Sequence, residues 1–283
     1  MPIVEEASIE EAARLLALFP VAHIKQVWAG IPGKKEELCA AIAGQADSRP
    51  QVVAFINNHF SCCRQHVRVF ERPQGQLPAF PAALGTAERV HQVAGEYAIY
   101  VVRVTFNVYL AEPFANDSVS FLWPFRLEWR DHHFVVRFVA LEKNLAAYFD
   151  RPYYGAKRTL EEADVLSDVL LTFTYPLSDL HAGVKAAWAN DFMDATRVKY
   201  KKANSTADET MDEERGIKAY NPQLYAALAQ ATLFNTRFTV AADHNLSVRV
   251  FSVEPNEGYI AFPQYSDAVG HTDEVVRTIL DLN

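Results

Sequence analysis

Apolar residues recur every three or four positions along the first 72 residues, the spacing typical of amphipathic helices. Ser8 and Glu11 have the spacing of a capping box at the start of the first helix. Pro50 begins the most regular run, which predicts one helix continuing to Phe70. The apolar positions of that run are Val53, Ile56, Phe60, Cys63, Val67 and Phe70. We therefore predict an N-terminal bundle of four helices over residues 1–72.

Beyond residue 72 the pattern changes. Residues 73–87 are rich in proline and glycine, which predicts a linker. The segments that follow are rich in β-branched and aromatic residues, as at 97–110, and this composition favours strands. Because these strands come in groups instead of alternating singly with helices, they indicate mainly antiparallel pairing. We predict an α+β protein, with the helical module at 1–72 and a larger domain with flanking helices at 88–283.

Composition narrows the function classes. Half of the 283 residues are hydrophobic and the net charge is −8. This charge excludes a protein that binds nucleic acid with its whole surface, but it allows a local basic patch. Residues 1–72 hold equal numbers of basic and acidic residues, so the excess negative charge lies after them. The three cysteines favour a reducing compartment over a disulfide framework. With no signal peptide or membrane span in the pattern, we expect a cytoplasmic protein.

The strongest candidate for a contact surface is a basic stretch on this acidic chain. Its cations are Arg197, Lys199, Lys201 and Lys202. On a strand, Arg197, Lys199 and Lys201 would point to one side about 7 Å apart, with Val198 and Tyr200 on the other. Such a row is suited to a phosphate backbone. The alternative is an edge strand whose lysines prevent pairing with another chain.

An acidic stretch follows at once. It contains Asp208, Glu209, Asp212, Glu213 and Glu214. Its composition predicts a mobile, solvated loop at 203–216. A further hypothesis is that this loop folds back over the cations and competes with a polyanion for them.

A second group of basic residues lies in the helical module. Arg64, Arg68 and Arg72 are four residues apart, so one helix would carry them on one face. Lys34 and Lys35 begin another predicted helix, from Lys34 to Ala43. The stretch from Ile24 to Ile42, with its Gly-Lys-Lys turn, resembles the SAP motif, a small helix–loop–helix module that binds DNA. This resemblance implies nucleic-acid contacts for Lys34 and Lys35; Arg64 and Arg68 are candidates from the predicted helix alone. The alternative to this resemblance is that the basic residues of the module form the solvated face of a helical bundle.

One cluster has the residue types of a metal site. It consists of His59, Cys62, Cys63 and His66, of which one helix would place His59, Cys63 and His66 on one face. Zinc requires four tetrahedral ligands, and a single helix hardly supplies them. We therefore interpret Cys63 as a core residue, and we expect neither a metal nor a cofactor.

The sequence carries no nucleophile elbow, P-loop or dinucleotide-binding fingerprint. We therefore predict a non-enzymatic adaptor subunit of a larger intracellular assembly. Its helical module would bind protein partners or a second copy of the chain, and its basic residues would contact DNA or RNA. Two alternatives stay open: a hydrolase or nuclease with an unfamiliar site, and a purely structural subunit.

Overall fold

The computed structural model describes residues 2–72, 75, 77–110, 116–141, 145–149, 152–202, 205–211 and 216–283. The α-helices of these residues are α1 (Pro2–Glu5), α2 (Ile9–Ala17), α3 (Val21–Val27), α4 (Lys35–Ala43), α5 (Ser48–His59), α6 (Glu162–Thr172), α7 (His181–Ala189), α8 (Ile217–Tyr220), α9 (Pro222–Leu228) and α10 (His271–Asp281). The strands are β1 (Gln65–Glu71), β2 (Ala83–Leu84), β3 (Ala87–Val93), β4 (Tyr97–Leu110), β5 (Asn116–Arg130), β6 (His133–Val139), β7 (Tyr153–Arg158), β8 (Met193–Lys202), β9 (Ser205–Thr210), β10 (Leu233–Val240), β11 (Val250–Glu254) and β12 (Tyr259–Phe262).

This content confirms the predicted α+β class, with helices at the N-terminus followed by a largely β region. The strand pairings are antiparallel, as the grouping of strands predicted. No helix in the described part of the chain is both long enough and apolar enough to cross a membrane.

The chain divides into two compact units. The first contains Met1–Phe60, Gly75–Trp129 and Phe138–Thr174, and the second contains Ser61–Gln74, Arg130–Arg137 and Tyr175–Asn283. These units do not coincide with the predicted segments 1–72, 73–87 and 88–283. Whether those three segments fold independently stays a prediction.

The first unit combines the N-terminal helices with a sheet. Its strands are ordered β2-β3-β4-β5, and β7 also pairs with β4. The capping box predicted for α2 is present, since Ser8 and Glu11 exchange hydrogen bonds through their side chains. Glu11 also joins α2 to β4, because its carboxylate lies 2.7 Å from Nε of Arg103. The helices therefore pack on strands of their own unit.

The second unit is a sheet with helices behind one face. Its strands are ordered β6-β1-β12-β11-β10-β8-β9. Alternate residues of each strand enter a core shared with α7 and α10, including Val67, Phe238, Trp188 and Ile279. Burying this apolar face orients each strand, because a shift of one residue would turn its core side chains to solvent.

The long helix predicted after Pro50 is wrong beyond His59. The chain forms a 3₁₀ turn at Phe60–Cys62 and then β1. In β1, Gln65, Val67 and Val69 are buried, with period two instead of period three or four. Arg64, Arg68 and Arg72 consequently do not share a helix face.

Two segments predicted as loops contain strands. Part of the predicted linker forms β2 and the start of β3, while Pro73, Gln74 and Gln76 lie outside the described residues. Within the predicted acidic loop, residues 205–210 form β9. The prediction of a loop is therefore wrong for residues 205–210. Asp212, Glu213 and Glu214 lie outside the described residues.

Candidate nucleic-acid interface

The basic stretch lies on β8, and its side chains alternate as predicted. Arg197, Lys199 and Lys201 are exposed, whereas Val198 and Tyr200 are buried in the core. Lys202 follows the alternation to the opposite side, where its Nζ lies 5.6 Å from the ring centre of Tyr200. Three of the four predicted cations therefore point to the face of the sheet away from the helices.

The interpretation of this stretch as a guarded edge strand is wrong. β8 pairs with β10 on one side and with β9 on the other. An interior strand has its backbone groups satisfied on both sides, so its lysines are not required to prevent pairing with another chain. β9 is the terminal strand of this unit's order.

The acidic residues of β9 lie against the cations of β8. Asp208 accepts two hydrogen bonds from Arg197, at 3.0 Å from Nε and 2.6 Å from Nη2. These bonds, with the charge of nearby Lys199, lower the pKa of Asp208 below its usual range. Glu209 lies on the opposite side of the β8–β9 hairpin, where its carboxylate is 3.9 Å from Lys202 Nζ. The bonds between Asp208 and Arg197 therefore agree with the hypothesis that the acidic segment folds back over the cations.

The strand register places Arg68 on the same face as Lys199. Arg68 pairs with Tyr259, Tyr259 with Glu254, and Lys199 with Asn235. The amide of Asn235 donates to the carboxylate of Glu254 at 2.8 Å, which joins the two halves of the row. Directly paired residues lie on one face of a sheet. With strands about 4.8 Å apart, Arg68 and Lys199 end a row of roughly 19 Å.

A second row runs beside the first. His66 pairs with Ala261, Ala261 with Ser252, Ser252 with Arg237, and Arg237 with Arg197. Arg237 and Arg197 are thus cross-strand neighbours of like charge, an arrangement that is destabilising unless an anion lies close by. Asp208 supplies such an anion to Arg197.

We call the side of the sheet that carries these two rows and Lys201 the polar face. Among its described residues, the charged side chains include Arg68, Arg197, Lys199, Lys201, Arg237, Asp208 and Glu254. It also presents an aromatic ring, Tyr259, with the guanidinium of Arg68 4.2 Å from the ring centre. Among the described residues, cations therefore exceed anions on this face, although the chain as a whole is acidic.

A cleft of about 350 Å³ lies on the polar face. Its lining residues are Arg197, Lys199, Asp208, Phe234, Asn235 and Glu254. Two cations, two carboxylates, an amide and an aromatic ring thus converge on one concave site, a combination that orients a polar ligand.

The other predicted residues do not all join this face. Arg64 lies just before β1, with its guanidinium 5.3 Å from the ring centre of Tyr265. Lys34 and Lys35 begin α4 and belong to the first unit, whereas Arg64 and Arg68 belong to the second. The basic group predicted for one helical module is therefore divided between two units.

The residues of the predicted metal cluster have other surroundings. His59 ends α5, where its ring stacks on Phe55 with centres 4.4 Å apart. Cys62 and Cys63 are fully buried, in agreement with the interpretation of Cys63 as a core residue. Across the described part of the chain, no three His, Cys, Asp or Glu side chains are placed to hold a metal ion.

The burial of the cysteines leads to a prediction about their reactivity. It raises the pKa of the Cys39 and Cys62 thiols to about 11. At pH 8 only about one thiol in a thousand would then be the reactive thiolate. We expect these two thiols in the folded chain to react with Ellman's reagent far more slowly than free cysteine, and all three cysteines to react quickly once guanidinium unfolds it. Rapid labelling of Cys39 or Cys62 in the folded chain would contradict this.

Sequence reasoning missed a contact between Ser247 and His271, which begins α10. The Ser247 hydroxyl lies 2.9 Å from His271 Nδ1, but the Ser247 backbone N–H also donates to Nδ1 at 2.8 Å. The Nδ1 lone pair is thus already shared, which lowers its ability to remove the hydroxyl proton as a catalytic base would. We interpret the pair as a link between the 245–247 loop and α10. No local motif could have indicated it, because the two residues are 24 positions apart, one in a loop and one at the start of a helix.

Comparison with known proteins gives no match: neither a family model, nor a curated protein, nor a solved structure resembles the chain. The resemblance of residues 24–42 to the SAP motif therefore rests on those residues alone.

Proposed function

We propose that the second unit binds single-stranded nucleic acid on its polar face, as a non-enzymatic subunit of an assembly inside the cell. The observation that supports this most is the register that brings Arg68, Arg237, Arg197 and Lys199 onto one face. These cations come from β1, β10 and β8, so their common orientation follows from the fold and not from one basic segment.

Electrostatics favours a polyanion as the ligand. Arg197 and Arg237 are neighbours of like charge on one face, so together they attract a phosphate more strongly than either does alone. Contacts with phosphates also release the counterions condensed on a nucleic acid, which supplies most of the affinity of non-specific binding. A chain with a net charge of −8 repels a polyanion elsewhere, so contact through one local face is expected.

The form of the site favours a single strand. The rows cross a sheet surface, where a flexible strand can follow side chains about 5 Å apart from one β-strand to the next. Tyr259 offers an aromatic surface on which an unpaired base can stack, worth about 1–3 kcal/mol per base in such proteins. A duplex keeps its bases stacked inside, so it gains nothing from this ring.

The helices of the first unit are proposed to bind a partner protein or a second copy of the chain. That part of the proposal still rests on sequence reasoning. It concerns α2 to α5, which lie in a different unit from the polar face, so the two interactions can be tested with separate variants.

The test is the salt dependence of binding to a labelled thymidine oligonucleotide of about 12 nucleotides, measured by fluorescence anisotropy. Lys199→Ala and Lys201→Ala are each expected to weaken binding several-fold and to reduce the slope of log K against log salt by about 0.7. Asp208→Asn is expected to strengthen binding, because it releases Arg197 from its ion pair.

Lys202→Ala is the matched control, since it removes a lysine from the same strand but from the opposite side. It is expected to leave the slope unchanged. A wild-type chain that does not bind the oligonucleotide, or an equal loss in the Lys202→Ala variant, overturns the proposal. Equal affinity for a duplex of the same length overturns the single-strand part. If changing Lys34 and Lys35 to Ala weakens binding more than Lys199→Ala and Lys201→Ala do, the binding site lies in the first unit.

A further inference from the structure

We infer that the 350 Å³ cleft on the polar face receives one base of the bound strand and selects guanine. This inference rests on the proposed function, because it names the base that the same site prefers. The cleft lies at the Lys199 end of the row. Five of its six lining residues divide into three chemical roles, and the sixth, Asp208, forms an ion pair with Arg197.

The floor of the cleft is polar and already oriented. The side-chain amide of Asn235 donates to Oε1 of Glu254 at 2.8 Å, which restricts the orientation of the carboxylate. Glu254 and Asn235 are both partly buried, so water competes less with a ligand there than at the exposed rim. An ionised carboxylate is only an acceptor, and each of its oxygens can accept more than one hydrogen bond. The cleft therefore calls for a ligand edge with N–H donors.

Guanine fits this requirement best among the bases. Its Watson–Crick edge carries two adjacent donors, N1–H and the N2 amino group, which can both donate to one carboxylate. Adenine and cytosine each place an acceptor beside their single amino group, and thymine or uracil has one N–H between two carbonyl acceptors. A carboxylate facing an acceptor is repelled and loses its solvation without compensation. Sites that hydrogen-bond a ligand discriminate strongly against analogues that lack the donor.

The remaining lining residues complete a nucleotide site. Phe234 is partly buried and presents a ring at the wall of the cleft, where a purine can stack. Arg197 and Lys199 lie at its β8 side, where they can contact the phosphates of the same nucleotide. A purine, with two rings, gains more from such stacking than a pyrimidine does.

The test replaces one central thymidine of the oligonucleotide by deoxyguanosine, deoxyinosine or deoxyadenosine and compares affinities at one salt concentration. Deoxyguanosine is expected to strengthen binding about tenfold over thymidine or deoxyadenosine, the usual size of one bidentate contact. Deoxyinosine lacks the N2 amino group and is expected to lose most of this gain. Glu254→Gln, whose amide cannot accept both donors, is expected to abolish the preference while the all-thymidine strand still binds.

The outcomes separate the two proposals. If the wild-type chain binds all four strands equally, the inference is wrong and the proposed function stands. If it binds none of them, the proposed function is wrong and the inference falls with it. A preference for guanine that deoxyinosine retains would also overturn the inference, because the N2 contact would then be unused. This comparison needs no variant, so it holds even if Glu254→Gln fails to fold.

Discussion

Asp273→Asn is expected to lower the free energy of unfolding by about 3–5 kcal/mol. Asp273 lies in the first turn of α10, and its Oδ1 forms an ion pair with Nη2 of Arg137 at 2.8 Å. The Arg137 side chain is 0% exposed. Removing the carboxylate charge would take away an anion 2.8 Å from a fully buried guanidinium, and breaking a buried ion pair by removing one partner is strongly destabilising. Urea denaturation of the wild type and the variant, followed by circular dichroism, measures the difference.

Arg130 provides the control, because its guanidinium lies 3.9 Å from the same Asp273 oxygen but is one-third exposed. Arg130→Ala is expected to cost about 1 kcal/mol or less, as solvent-exposed pairs do. Adding Arg137→Met to Asp273→Asn should recover part of the stability, since an apolar side chain needs no partner. An Asp273→Asn variant no less stable than Arg130→Ala would show that the buried guanidinium is stabilised by other contacts.

Asp194→Ala is expected to destabilise the second unit by about 3 kcal/mol. The Asp194 carboxylate accepts from Nε1 of Trp188 at 2.9 Å and from the backbone N–H groups of Ala195, Lys218 and Ala219 at 2.7, 2.9 and 3.1 Å. Hydrogen bonds to a charged group contribute about 1.5–3 kcal/mol each, and bonds that share one acceptor are not additive. The loss should appear in denaturant unfolding and as faster hydrogen exchange at Lys218 and Ala219.

Asp191→Asn is the control for Asp194, because the left-handed backbone of Asp191 (φ 59°) suits asparagine but would be strained with alanine. Its carboxylate is 80% exposed and accepts from Nζ of Lys218 at 2.6 Å. Because water solvates this pair, its removal should cost less than about 1 kcal/mol. Equal losses in the two variants would mean that the hydrogen bonds of Asp194 do not stabilise the start of β8, and the expected difference would be wrong.

Local pattern was enough to predict the elements whose apolar residues follow one period. β4 is a continuous run of β-branched and aromatic residues, and β8 alternates between charged and apolar side chains, so both were predicted as strands. The capping box before α2 was equally readable. In each case the propensity, the pattern and the tertiary environment agree, and one segment contains all the information needed.

β1 and β9 show where local pattern fails. In β1 the buried position Gln65 is polar, so the alternation of period two is hidden, while Val67 and Phe70 happen to continue the helical spacing of α5. β9 has almost no apolar residues, and it forms because β8 supplies the hydrogen bonds and Arg197 pairs with Asp208. Neither the backbone pairing nor the ion pair can be seen in the segment itself.

The candidate site was predictable only in part. Arg197, Lys199 and Lys201 were identified because they are close in sequence. Their neighbours on the polar face, Arg68 and Arg237, come from other strands. Arg68 was a candidate, but from a predicted helix face that the structure does not contain, and only the register of the sheet places both residues here. Non-local pairing of this kind is set by the burial of the opposite face, which no single strand specifies.

The row from Arg68 to Lys199 runs across the strands, with one residue from each of five consecutive strands. A ligand lying along it would therefore act as a brace, holding together chain segments that are far apart in sequence. Its affinity would depend on the integrity of the sheet. Local unfolding of β1 would remove one end contact, whereas local unfolding of β11 would cut the row in two. Binding and folding of the second unit would then be coupled, and any change that loosens the sheet would weaken binding without touching a cation.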